Sequence, residues 1–328
     1  MVSKSVSTCQ NLYGITIRSN KKFRRCLSTF FLFLGDSGYN IHKFSICPQL
    51  AQTFNSQAQI IYMRTSQNGV GGCELDTDSF ILRFSNIIAF VLTVIVNGLA
   101  GSTTLLGGVN TAAISDANPT LITPAGYVFS IWGVIYFLLG VFVVYQTLPS
   151  QQGKEFHKKI GWLFVLSSLA NIVWLFLWQF EQLVLSVVLM FLLLATLIMI
   201  YIRLGIGKSS VSIREKLAVH TPFSVYLGWI TIATIANVAA TLVFLGWDGF
   251  GISPETWAML IVIVALVISI LVLFTRRDVA YGLVIVWALV GIGVKQTGYQ
   301  NIVFLTEVSA IIVLVAMVAS LLLFRLRK

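Results

Sequence analysis

Charge is what this chain has least of. Only 10% of its 328 residues are Asp, Glu, Lys or Arg, while 57% are hydrophobic. Soluble domains carry roughly 25% charged residues, so that scarcity excludes a water-soluble globular protein and points to an all-α, polytopic membrane helix bundle. Acidic residues are scarcer than basic ones, and the net charge is +10. The basic residues gather in alternate loops, as orientation in a membrane requires, so the excess is not read as a nucleic-acid surface. Chemistry-bearing patterns are missing as well. There is no nucleotide-binding loop, no metal-ligand cluster and no nucleophile elbow. His42, His157 and His220 lie outside the apolar segments, and no internal repeat is visible. The expected reading is a protein that is not an enzyme and carries no cofactor and no metal. All four cysteines, Cys9, Cys26, Cys47 and Cys73, precede the first apolar span in no zinc or redox spacing, and read as free thiols.

Residues 1–80 differ from the rest: they are rich in Ser, Asn and Gln, with no acid before Asp36. The run LSTFFLFLG after Arg25 looks like a signal-peptide core but is too short to span a bilayer. An acid-poor, Arg- and Ser-bearing start also fits an organellar transit peptide. A poorly ordered tail, or translation starting later near Met63, fits too.

After residue 80 come eight apolar segments. A span needs ~20 apolar residues, and the segments lie near Phe84–Leu106, Pro124–Thr147, Ile160–Phe180, Leu183–Leu204, Pro222–Leu245, Thr256–Phe274, Val279–Val294 and Ile302–Phe324. Arg83, Lys154, Lys158, Lys159, Lys208, Arg214, Lys216, Arg276, Arg277 and the terminal Arg325, Arg327 and Lys328 fall on one side of this pattern; Lys295 alone breaks it. The expectation is eight crossings with both termini on the positive, cytoplasmic-type side.

The second segment opens with Pro119 and Pro124, and proline suits a first helical turn, so a helix is expected from about Thr123. Trp132 and Tyr136 share one face of it, with Gly140 beyond allowing close approach. In the third segment Ser167, Asn171, Trp174 and Trp178 share a face; in the fifth, Tyr226, Trp229, Thr234 and Asn237 follow helical spacing. Amides in hydrocarbon seek partners, so Asn171 and Asn237 face other helices or a cavity. Spacing leaves two readings open: interhelical glue with interfacial tryptophans, or a ligand cavity. Glu307 lies inside the last segment, either as a structural partner of Lys295 at the interface or as the coupling acid of a secondary transporter. Gly291 and Gly293 read as packing, not as a phosphate loop.

Together these residues resemble the TspO/MBR family of translocator proteins, or tryptophan-rich sensory proteins. The family helix P-P-x-W-V-F-x-x-V-W-x-x-L-Y-x-x-M-G is matched in order by Pro124, Tyr127, Val128, Phe129, Trp132, Tyr136 and Gly140; A-L-N-x-x-W by Ala170, Asn171 and Trp174; and Y-L-A-W-x-x-F-A-T-x-L-N by Tyr226, Leu227, Trp229, Ala233, Thr234 and Asn237. The first proline of the usual pair is Thr123, and the sterol-recognition pattern after the fifth helix is absent. The resemblance covers about Phe84–Trp247. It implies a five-helix bundle that binds a flat apolar ligand, porphyrin- or tetrapyrrole-like, as sensor or carrier, with Trp132, Tyr136, Asn171, Trp174, Trp229 and Asn237 as the site. The expected division is 1–80 as a tail or targeting segment, 81–247 as the five-helix bundle, and 254–328 as three additional helices after a polar break at Asp248, Pro254 and Glu255. The expected partners are the lipid bilayer and a porphyrin or other hydrophobic small molecule, with a homo-oligomer left open and no nucleic acid.

Overall fold

The computed structural model describes residues 77–102 and 111–326. The readings made on residues 1–76, including the four cysteines, lie outside the described residues. Eight long helices follow one another: α1 Thr77–Ser102, α2 Ile131–Thr147, α3 Leu163–Gln179, α4 Leu183–Leu204, α5 Thr221–Phe244, α6 Pro254–Arg276, α7 Val279–Lys295 and α8 Gln300–Leu326. Among the described residues there is no strand. Among the described residues six spans are long and apolar enough to cross a membrane, one of them joining the 3₁₀ turn Gly126–Ser130 to α2. The other two long helices, α3 and α7, have 17 residues each, or about 25 Å at 1.5 Å per residue. The outward positions of the long helices are apolar: Phe137 on α2, Val188 on α4 and Phe304 on α8 are among the most exposed side chains. Large apolar side chains cover the outside of the bundle, the arrangement of a protein whose solvent is lipid.

Local chemistry explains the helix ends. Before α6, Ser253 Oγ accepts from Thr256 N at 3.2 Å, and Pro254 occupies the first turn, where its missing N–H costs nothing. Asp278 accepts from Tyr281 N at 3.2 Å to cap α7, and its other oxygen accepts from Tyr201 Oη at 2.9 Å on α4. That carboxylate ties two helices together while satisfying an otherwise orphaned backbone donor. Gly207, with φ +78°, lets the loop after α4 lie against the end of α6: a Cβ there would stand 1.7 Å from the Arg276 carbonyl oxygen.

Three expectations need correction. The helix foreseen from Thr123–Pro124 begins later, because Ala125 is extended and its N–H donates to Gly291 O at 3.0 Å on α7 instead of opening a helical ladder. A 3₁₀ turn, Gly126–Ser130, intervenes before α2. The third segment is interrupted at Gly161 (φ 51°), which separates the short helix Glu155–Ile160 from α3. Lys295 does not meet Glu307; it pairs with Asp116 at 2.7 Å, while Glu307 is exposed on α8. The one basic residue that broke the loop alternation therefore has its charge matched locally.

The described helices belong to one compact unit. The main apolar core runs from Ile135 and Leu139 on α2, through Leu193 and Ile230, to Val313 and Met317 on α8, and a smaller cluster joins Ile122, Ala258, Ile292 and Ile302. The loop between α1 and α2 is held against α7: Gln296 Nε2 donates to Thr120 O at 3.2 Å, and Trp287 Nε1 donates to Val128 O at 3.1 Å. Gly291 is the close-contact point, since a Cβ there would come within 2.1 Å of Val128 Cγ2. The glycines at 291 and 293 are indeed packing positions.

Candidate functional site

Trp132 is the centre of an aromatic cluster built from three helices and the turn before α2. Its ring stacks on Tyr136 at 5.7 Å and on Trp174 at 6.1 Å, and meets Tyr226 and Trp229 edge-on at 6.2 Å each. Phe129 packs edge-on against Trp229 at 5.9 Å, and Trp174 stacks on Trp178 at 6.0 Å. Helical spacing alone sets part of this: Trp132 and Tyr136 are four apart, as are Trp174 and Trp178. Offset and edge-on pairs add about 0.5–1.5 kcal/mol each beyond burial.

Amides organise the helices around the rings. Asn97 on α1 donates to Asn171 Oδ1 at 2.7 Å, and the Asn171 side chain also lies within reach of the Tyr226 hydroxyl. Trp174 Nε1 donates to Asn237 Oδ1 at 2.8 Å, and Asn237 Nδ2 donates to Ser186 Oγ at 3.0 Å. Nearer the other end of α1, Asn86 Nδ2 donates to Gln146 Oε1 at 3.0 Å. Interhelical bonds of this kind average about 0.6 kcal/mol in a membrane, so these four fix register more than they supply stability.

A cavity of about 280 Å³ opens beside the cluster, lined by Asn97, Gly101, Thr111, Phe129, Trp132, Tyr136, Trp174 and Leu175. Of the residues foreseen, Trp132, Tyr136 and Trp174 line it. Asn171 stands directly behind Asn97. Trp229 packs against Trp132 and Phe129 without reaching the lining, and Asn237 is set back, holding the Trp174 indole. Three buried donors at the cluster, Tyr136 Oη, Trp229 Nε1 and Asn171 Nδ2, have no hydrogen-bond partner among the described residues. An unmade bond of this kind costs about 1–3 kcal/mol, so the site holds hydrogen-bonding capacity that its own side chains do not use.

Asn97 was missed in the sequence. The rule that singled out Asn171, an amide inside an apolar span, applies to it equally. Leu175 carried no signal because an aliphatic residue in a span has no partner-seeking group, and Ser186 carried little because a span hydroxyl can be satisfied within its own helix, as Ser186 is by donating to Leu183 O at 2.7 Å. Among the described residues no cluster of His, Cys, Asp or Glu could hold a metal ion.

Comparison with curated proteins and with solved structures finds no match. A family model described as TSPO-like protein matches residues 82–320, which takes in all of α2 to α7 and most of α1 and α8, reaching well past the motifs that carried the resemblance. With the helical architecture, the outward-facing apolar surface and the aromatic cluster on α2, α3 and α5, this match assigns the chain to the TSPO-like family of multi-pass integral membrane proteins.

Proposed function

We propose that the chain binds a flat apolar ligand of the porphyrin or tetrapyrrole kind in the cavity beside Trp132, and serves as its sensor or carrier. The observation that carries this reading is the coincidence of a cavity, stacked indole faces and an unpartnered donor on the cavity wall, Tyr136 Oη. A ligand would lie against the Trp132 and Trp174 faces, with acceptor atoms toward Tyr136 and the Asn97–Asn171 pair. Typical small-molecule sites measure ~300–1,000 Å³, so at about 280 Å³ a whole tetrapyrrole binds with part of its rim outside, while a smaller flat molecule fits entirely. Transport coupled to Glu307 has no comparable support, since that acid is exposed on α8 rather than turned to the interior.

The test is quenching of tryptophan fluorescence by protoporphyrin, with folding of each variant established first. Losing an indole face costs more than the ~0.5–1.5 kcal/mol of the ring contact, and 1.4 kcal/mol is tenfold in affinity. Trp132→Ala is expected to weaken binding about tenfold or more, Tyr136→Phe by less, and Trp257→Ala hardly at all. Absence of saturable quenching in the wild type, or equal affinity in Trp132→Ala, removes the reading.

The same proposal places both termini on the cytoplasmic-type side. A cysteine introduced at Ser150 and one at Asp248 are expected to react with membrane-impermeant maleimide from opposite sides; labelling of both from one side would refute eight crossings.

A further inference from the structure

A larger cavity lies elsewhere, and neither the aromatic site nor the family assignment accounts for it. α5 and α6 are consecutive, yet α6 packs chiefly on α8, leaving a gap of about 580 Å³ beside α5. Its walls are aliphatic: Leu194 on α4, Ile235, Val238 and Ala239 on α5, and Ile261 and Val264 on α6. The hydroxyls on its wall at Thr231 and Thr234 are already spent, each donating to the carbonyl one turn back, at 2.8 and 2.6 Å. A long apolar space with no free polar group along its wall suits an alkyl chain.

The mouth is different. Trp247 and Trp257 lie there with ring centroids 5.2 Å apart, and Phe250 stands edge-on to Trp247 at 5.4 Å. The loop is shaped to hold this group. Phe250 takes a left-handed backbone (φ 55°) that a bulky residue adopts only at a cost, and its N–H donates to Asp248 Oδ1 at 3.0 Å. Trp257 Nε1 donates to Gly249 O at 2.8 Å. Asp248 lines the mouth and pairs with no Lys or Arg among the described residues. Glu255 nearby accepts from Asn301 Nδ2 at 3.0 Å and meets no cation either. The sequence places no other Lys or Arg on this side apart from Lys295, which Asp116 already holds. Aromatic rings beside a carboxylate attract ammonium groups, and a surround of acids without bases disfavours an anionic head.

We propose that the gap between α5 and α6 is a second ligand site, taking a single-chain cationic amphiphile: the alkyl chain lies along Ile235, Ala239 and Ile261, and the ammonium sits at Asp248 beside the Trp247–Trp257 pair. This stands whether or not the Trp132 cavity binds a tetrapyrrole. The experiment uses the full chain in lipid nanodiscs, with tritiated dodecyltrimethylammonium and tritiated dodecanol as probes and empty nanodiscs as the blank. Saturable binding of the ammonium is expected, about tenfold weaker in Asp248→Asn, with dodecanol unaffected by that change. Val264→Trp, made at an exposed position where folding is not at stake, and Ala239→Phe are both expected to abolish binding of either probe; Trp132→Ala is expected to leave both unchanged. Equal binding of the two probes in the wild type, or no effect of Asp248→Asn, would mean that the gap holds only a bilayer acyl chain and would overturn the ammonium site. Full binding in Val264→Trp would put the amphiphile elsewhere and overturn the proposal entirely.

Discussion

The first five helices and the last three are filled in opposite ways. In α1 to α5 the interior is aromatic and amide-rich, with a void and donors left without partners around Trp132. In α6 to α8 it is filled by small residues that draw backbones together: a Cβ on Gly282 would meet Met317 Sδ at 2.7 Å, and one on Gly293 would meet Thr306 Oγ1 at 3.0 Å. Rings and amides are rigid and directional, so they leave a shaped space that other side chains do not close. Glycine and alanine on facing helices leave none. The aromatic cluster lies within α1 to α5, and the last three helices brace the stretch that leads into it: α7 and the residue after it hold Thr120, Ala125 and Val128, the last of these next to Phe129 of the cavity wall.

The severest way to break this comparison is to remove one side of it. A chain ending at Ser253 is expected to insert and keep the helicity of α1 to α5, in line with a five-helix part that folds on its own. It is also expected to melt at lower temperature and to lose most of its porphyrin affinity, since the loop after α1 loses its bonds to α7. Circular dichroism and the same quenching titration report both. Unchanged affinity would make the last three helices independent of the site, and failure to fold in detergent would make all eight helices one core.

A smaller intervention addresses the point of contact itself. Gly291→Ala forces a methyl against Val128, and overpacking of this kind costs about 1–3 kcal/mol. A Cβ on Gly133 of α2 would meet nothing within 4 Å, so Gly133→Ala is expected to be neutral or to stabilise by up to about 1 kcal/mol through helix propensity. Thermal melting of the two variants separates close packing from propensity; equal effects would show that α7 does not press on the loop.

The smallest expected effect falls within the five-helix part alone. His157, in the short helix Glu155–Ile160, is held below its ordinary pKa of 6.5, first by burial, with Arg83 adding to the shift and a bond to the Gln151 carbonyl opposing it. Because the folded value is the lower one, the unfolded chain takes up the proton first as pH falls. Stability is therefore complete above about pH 6.5 and declines below it, until the folded histidine also protonates. His157→Gln is expected to flatten that decline in a melting series from pH 7.5 to 5, and an unchanged slope would assign it to another group.

Much of this was legible before any coordinates. Apolar run length set the helices to within a few residues at most ends, because in lipid a backbone has nowhere else to place its hydrogen bonds. Spacings of three and four put Trp132 beside Tyr136, and Asn171 one turn from Trp174. The delayed start of α2 was not legible, since it depends on Ala125 donating to Gly291, 166 positions away in the chain. Nor was the partner of Lys295, where proximity in sequence favoured Glu307 and the fold supplied Asp116.

What the sequence determined by itself was the solvent, the helices and the faces that would be buried, for these follow from hydropathy and a 3.6-residue period, both local. The tertiary structure alone decided which faces met: that Asn97 and not some other amide would bond Asn171, that Asn237 would hold Trp174 from behind rather than line the cavity, and that α6 would turn to α8 and leave a gap beside α5. Those outcomes depend on helix rotation and on where small residues let backbones approach. Neither is encoded in any one segment, because packing selects among rotations that hydropathy leaves nearly equal in energy.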